Sequence, residues 1–328
     1  MVALFPLKST SCLEISCINH ENIIVAIAFS PDGRYFATAG LDATARVWEV
    51  TSGLEVSCIN HEDIIVAIAF SPDGCYFATA SEDSTAQVWE TYTGRRVACM
   101  PHEDSVNNVV FSPDGEYLVT VTGSKLFPQS VHITCTASMW EVTTGQKVMS
   151  ITHDYGVNAV AFSPNEKYLA VASSDRAVEV WEVGCNQCAC AWKANTSKAV
   201  ARLTHAQPIV AITFSPGGQH LATASLDGTA RVWEVTSGRG IARMAHEKDI
   251  NVVAFSPDGR HLATASDDHT ARVWEITSAQ EIACVTHKDK VNAIAFSPDG
   301  KFLATASGDL MSGGQDYATR LWLWRPWF

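Results

Sequence analysis

Short runs in which apolar residues alternate with small or polar ones recur along the chain, each closed by a turn signal. In the first full set, Ile23 to Ser30 ends in Ser30-Pro31-Asp32-Gly33, where Pro presets φ and Gly supplies a positive φ. Tyr35 to Ala39 follows, then a turn at Leu41-Asp42-Ala43, then Ala45 to Val50 through Trp48. After Thr51-Ser52-Gly53 a last run extends from Leu54 to Asn60. The period of two and the Val, Ile, Phe and Tyr content predict four strands, a to d. Residues 54–94 then nearly copy residues 13–53.

The tripeptide Phe-Ser-Pro marks the repeat, with its Phe at Phe29, Phe70, Phe111, Phe162, Phe214, Phe255 and Phe296. The spacing is near 41 residues and lengthens around the third and fourth units. Seven units of four strands at this period match the blades of a β-propeller; β-solenoid periods are shorter.

These motifs resemble the WD-repeat β-propeller family, in the form of the tandem repeats of bacterial proteins. Each unit carries a His, Phe-Ser-Pro nine residues on, and usually a Trp nineteen after that Phe. The family's Gly-His is replaced by Asn19-His20, Asn60-His61 and Pro101-His102, and its Trp-Asp by Trp48-Glu49, Trp89-Glu90 and their equivalents. Both departures fall at turns or strand ends. The resemblance covers residues 13 to 324 and implies an all-β, seven-bladed β-propeller of four-stranded antiparallel blades. It is a single domain over 1–328, whose a-b-c runs start near residues 21, 62, 103, 154, 206, 247 and 288. Residues 13–19 copy a strand d yet precede the first blade, and the chain stops too soon after Trp324 for strand d of the seventh. The matching deficits predict that 13–19 pairs with strand c of the last blade and closes the ring, removing its open edges.

The resemblance also implies a buried hydrogen-bond tetrad per blade. The sets are His20, Thr38, Asp42 and Trp48; His61, Thr79, Asp83 and Trp89; His205, Thr223, Asp227 and Trp233; and His246, Thr264, Asp268 and Trp274. Trp only donates, a hydroxyl and an imidazole do both, and a carboxylate accepts, so a complete chain leaves no buried polar group unmet. The same residue types make hydrolase triads. An active site is unique, however, and this set recurs, which favours a structural role. The third unit lacks the Asp, the fourth has Val171 in place of Thr, and the seventh offers both Asp309 and Asp316.

Composition narrows the function. A formal charge of −12 repels phosphate backbones and anionic lipid, so neither nucleic acid nor membrane is an expected partner. No leader pattern and no apolar run of membrane length is present, which leads us to expect a cytoplasmic monomer without a cofactor. Cys17, Cys58, Cys99 and Cys284 occupy equivalent places on separate blades, too far apart to pair, and read as reduced thiols. Insertions lengthen the chain at 121–136, 183–195 and 309–315, and loops that a scaffold does not need are functional hints. The second holds Cys185, Cys188 and Cys190, a set short of the fourth ligand of a tetrahedral zinc site, so no metal is expected there.

What remains is a non-catalytic protein- or peptide-binding scaffold rather than an enzyme. The alternatives are the sensing propeller of a larger or split bacterial signalling switch, or a metal or enzymatic site on the Cys185–Cys190 loop. By the resemblance, the top mouth collects the residues three and five positions after the repeat His and the one before the buried Asp. The binding candidates are therefore Ile23, Val25, Leu41, Ile64, Val66, Glu82, Asn107, Asn158, Leu226, Asp249, Asn251, Asp267 and Asn292. The first two blades contribute an apolar anchor site, Glu82 and Asp267 favour a basic flank, and the asparagines supply hydrogen bonds.

Overall fold

In the computed structural model, which describes residues 12–20, 22–122, 135–153, 156–182, 199–308 and 317–324, the repeat is built around its turn chemistry. Ser30 Oγ donates to Asp32 Oδ1 at 2.6 Å and accepts the Tyr35 amide at 3.0 Å, while Gly33 takes a φ of 69°. This reverses the chain between β2 (Ile24–Phe29) and β3 (Tyr35–Gly40). β4 (Thr44–Glu49) and β5 (Glu55–Asn60) complete an antiparallel sheet in the order β2-β3-β4-β5. Strands β6 to β25, between Ile65 and Thr286, repeat that order in five more sheets.

The seventh sheet joins the two ends of the chain. β26 (Val291–Phe296), β27 (Phe302–Ser307) and β28 (Ala318–Trp324) are completed by β1 (Cys12–Asn19). β1 runs antiparallel to β28, from Cys12 opposite Trp324 to Asn19 opposite Ala318. The fold is thus an all-β, seven-bladed propeller, and β28 has no unpaired edge.

The core lies between blades. Six of the seven strands b carry two alanines each, and their small side chains let the neighbouring sheet approach; the third has Val119 and Val121 instead. Ala37, Ala45 and Val47 of the first blade pack with Ile65, Phe77 and Trp89 of the second. Ile24 likewise packs with Ala293 and Ala306 of the last blade. No sheet buries its apolar face alone, so the closed ring is the stable unit.

Two bulges recur and set the surface. Between strands a and b the register slips at Val25, Val66, Asn107, Asn158, Val210, Asn251 and Asn292. Between strands c and d it slips at Val56, Val97, Val148, Val200, Ile241 and Ile282. A bulged residue leaves the ladder and is re-aimed, in this case towards the next blade or outwards.

Candidate functional site

In the second blade the four tetrad residues form one chain of hydrogen bonds. Trp89 Nε1 donates to Thr79 Oγ1 at 2.9 Å, the Thr79 hydroxyl faces His61 Nε2 at 2.7 Å, and His61 Nδ1 faces Asp83 Oδ2 at 2.7 Å. Because Trp only donates, the threonine proton goes to Nε2 and the ring proton sits on Nδ1. The fifth blade repeats the chain through Trp233, Thr223, His205 and Asp227 at 3.0, 2.7 and 3.1 Å. In the sixth, Trp274, Thr264, His246 and Asp268 do so at 2.9, 2.7 and 2.8 Å. Burial outweighs the neighbouring carboxylate and holds these three imidazoles below their usual pKa. Burial also pushes the Asp227 and Asp268 carboxyls up, but hydrogen bonds led by those from Thr229 and Thr270 bring both down to about 2.

All three complete chains share a brace that the sequence analysis missed. Ser81 Oγ accepts the Asp83 amide at 3.1 Å and donates to the Asp63 carbonyl at 2.9 Å. Ser225 and Ser266 do the same for Asp227 and Asp268. The same serine ends strand b in the fourth and seventh blades, where Val171 replaces the Thr and His287 Nε2 makes no hydrogen bond among the described residues, so the serine accompanies a complete tetrad without specifying one.

The first blade has Gly40 at that position, and there the expected set is not formed. Trp48 Nε1 donates to Thr38 Oγ1 at 2.9 Å, but His20 Nε2 lies 3.1 Å from Thr319 Oγ1 on β28 instead of bonding Thr38. Asp42 Oδ1 is taken by the amide and hydroxyl of Thr44 at 3.0 and 2.8 Å. The Ile23 carbonyl lies close against Gly40, where an added Cβ would be 2.3 Å from that oxygen. In the third blade, which has no Asp, His102 Nε2 meets Thr120 Oγ1 at 2.8 Å and Nδ1 donates to the Met100 carbonyl at 2.9 Å. Burial lowers both His20 and His102 to about 4. Val171 of the fourth blade is buried on strand b. Asp309 and Asp316 lie outside the described residues.

The top rim is a series of pairs across blade boundaries. The amides of Leu41, Glu82, Leu226, Asp267 and Gly308 donate to the carbonyls of Ile23, Ile64, Pro208, Asp249 and Lys290 in their own blades. Two of these positions meet the next blade closely. Asp267 Oδ2 lies 2.7 Å from Lys290 Nζ, and a Cβ on Gly308 would lie 3.0 Å from Ile23 Cγ1. Leu41, Ile64, Val25, Leu226, Glu82, Asp249 and Asp267 are partly exposed on this rim. Burial, and then the Asp267 charge, push the Asp249 carboxyl up.

Two groups of expected contact residues are turned inwards. Ile23 and Val66 are 4% and 8% exposed, so they do not belong to an open apolar cluster. Ile23 fills the seam between Gly40 and Gly308, and Val66 packs between the second and third blades. The asparagines bridge blades instead of offering their amide donors to a partner. Asn107 Nδ2 donates to Val157 O at 3.1 Å, Asn158 to Ile209 O at 2.9 Å, Asn251 to Val291 O at 3.0 Å and Asn292 to Ile24 O at 3.4 Å. Each sits at the a-b bulge, which aims its side chain at the neighbouring sheet.

The exposed apolar side chains lie elsewhere. Val56, Val148 and Ile241, all at the c-d bulge, and Leu54 at 67% are on the outer wall, while Tyr92 packs edge-on against Tyr35 at 5.4 Å. Cys17, Cys58 and Cys99 are exposed and in no disulfide, and burial pushes the pKa of Cys58, Cys99 and Cys284 up, away from the reactive thiolate. Among the described residues no three His, Cys, Asp or Glu side chains converge as metal ligands, and Cys185, Cys188 and Cys190 fall outside those residues.

The family model for the WD domain, G-beta repeat, matches residues 11–49, 54–90 and 94–126. That for the nucleolar protein 10-like N-terminal domain matches residues 127–317. Among curated proteins, the target of rapamycin complex subunit wat1 of Schizosaccharomyces pombe is 33% identical over 101 residues, 30% of this chain and 28% of that protein. The small ribosomal subunit protein RACK1 of Drosophila melanogaster is 25% identical over 96 residues, 29% of this chain and 30% of that protein. The chain spans less than a third of the length of these curated relatives.

Proposed function

The chain belongs to the WD-repeat β-propeller family, and from that premise we propose that it is a non-catalytic scaffold which binds a protein or peptide across its top face. One observation carries this reading: the blades copy each other inside and differ at the rim. The position three residues after the repeat His reads Ile23, Ile64, Ser105, Gly156, Pro208, Asp249 and Lys290, whereas the neighbouring core positions hardly change. Apart from Ile23, these positions are partly exposed and less constrained by the packing that holds the core constant, which leaves them available to a partner. Leu41, Ile64 and Leu226 supply partly exposed apolar surface, and Glu82, Asp249 and Asp267 supply negative charge.

Two further points support it. The His-Asp-Thr sets make their hydrogen bonds within the blades and recur three times, so they present no nucleophile to a substrate. The relatives are named as a subunit of a complex and as a ribosomal subunit protein, both parts of larger assemblies. The net charge of −12 favours a protein partner over nucleic acid or an anionic membrane, and we place the chain in the cytoplasm as a monomer before it engages that partner. The test is parallel affinity capture with the wild type and a Leu41→Ser/Ile64→Glu variant. A partner retained by the wild type and lost by the folded variant supports the reading; equal recovery removes the top face from it.

A further inference from the structure

The sixth and seventh blades show how this rim satisfies a carboxylate. Asp267 Oδ1 accepts the Asn251 amide at 2.8 Å, and its Oδ2 lies 2.7 Å from the ammonium of Lys290 in the next blade. The second and third blades carry the same arrangement with both donors replaced. Glu82 stands where Asp267 stands, Val66 takes the bulge position of Asn251, and Ser105 takes the position of Lys290. Val66 has no donor to give. The Ser105 hydroxyl points to the Glu82 carbonyl at 3.5 Å, not to its carboxylate. Glu82 Oε1 is shielded from water and has no hydrogen-bond donor within reach. A shielded carboxylate oxygen left in that state costs free energy that a donor recovers.

A second acceptor lies two residues along the strand from Ser105. Asn107 is 3% exposed, its Nδ2 is bonded to Val157 of the fourth blade, and its Oδ1 has no partner. An amide nitrogen and oxygen diverge, so anchoring the nitrogen on the fourth blade leaves the oxygen turned away from it. In Asn158 that oxygen takes the Ser174 hydroxyl at 3.2 Å. Glu82 thus stands at the second-to-third junction as a charged acceptor without a donor among the described residues, with the partly exposed apolar Leu41 and Ile64 on the same rim.

We propose that this junction binds a lysine side chain of a partner protein, its ammonium meeting Glu82 as the Lys290 ammonium meets Asp267. An apolar residue flanking the lysine lies on Leu41 and Ile64. A compact ammonium suits a single shielded carboxylate oxygen, as it suits Asp267, better than a planar two-pronged guanidinium does. The proposal rests on the top-face reading above and names the chemistry of its partner.

The experiment uses the whole chain and two capped peptides, acetyl-Gly-Gly-Leu-Lys-Leu-Gly-Gly-amide and its norleucine counterpart, followed by calorimetry and amide chemical shifts. The lysine peptide is expected to shift the amides of Glu82, Ser105 and Asn107. It should bind at least tenfold more tightly than the norleucine peptide, and lose that advantage in Glu82→Gln and in Ser105→Lys. Glu62→Gln, which removes an exposed carboxylate from the same face, should retain it. Ser105→Lys should also raise the Tm without ligand, because it rebuilds the Lys290 arrangement within the chain. Equal affinity for both peptides, wild-type binding by Ser105→Lys, or an unraised Tm in that folded variant overturns the proposal. Binding that is independent of lysine and abolished by Ile64→Glu overturns it while leaving the top-face reading intact; no shift of any rim amide overturns both.

Discussion

His20 Nε2 lies 3.1 Å from Thr319 Oγ1, so the residue that follows the closing strand is bonded to the very strand on which it closes. A hydrogen bond of this kind contributes about 1 kcal/mol net. A double-mutant cycle between His20→Ala and Thr319→Val, read from urea unfolding, should give a coupling of about that size. The same cycle between His20 and Thr38 should be additive. Coupling to Thr38 with none to Thr319 would return the first blade to the tetrad its sequence suggests.

Gly40 is where the first blade cannot accept a side chain. An added Cβ would lie 2.3 Å from the Ile23 carbonyl oxygen, which is backbone and cannot swing aside. Gly40→Ala should cost about 1–3 kcal/mol, as overpacked core sites do. Gly240→Ala, whose Cβ would meet Trp233 at an ordinary 3.7 Å, should stay within about 0.5 kcal/mol. Equal effects of the two in thermal unfolding would show that the seam is loose.

Acid should unfold the ring in a defined window. His20 and His102 titrate near 4 in the folded protein and near 6.5 in the unfolded chain, and His61, His205 and His246 are shifted in the same direction. The unfolded chain therefore binds more protons between those values. The contribution is fully present above pH 6.5 and is lost as the pH falls through 4. Asp227 and Asp268, lowered from 3.8 to about 2, add a second loss below pH 4. Calorimetry at several pH values should show a Tm that is level above 7 and declines on acidification; a Tm that rises between pH 6.5 and 4 contradicts buried neutral imidazoles.

Removal of residues 1–19 strips β1 from β28 and leaves seven residues of open edge, Ala318 to Trp324, with the first and last blades joined only by their packing across the seam among the described residues. Exposed edges template aggregation. Light scattering of the truncated chain should reveal oligomers or a fall in Tm; a monomer with unchanged Tm would mean that the ring does not depend on this pairing.

Most of the architecture was legible because it repeats. The Phe-Ser-Pro period, the Ser-Pro-Asp-Gly turns and the surplus strand d at 13–19 led to seven blades and their closure, and a motif written seven times averages out local ambiguity. The tetrads of the second, fifth and sixth blades were equally readable, since each is held by residues at fixed spacings within its own repeat. The first blade differs because His20 bonds Thr319, on a strand from the far end of the chain that no spacing within its own repeat reveals.

By itself, then, the sequence determined the number of blades, the partners within each sheet and the candidates for the rim. These depend on period, turn chemistry and spacing, which are local. Only the tertiary structure decided what each rim residue does, because that depends on the next blade. It set Ile23 in the seam against Gly308, drew the Asn107 and Asn251 amides to neighbouring carbonyls, and gave Asp267 a lysine that Glu82 does not have. The bulges that aim those side chains come from a one-residue mismatch between paired strands, which appears only once the strands are paired.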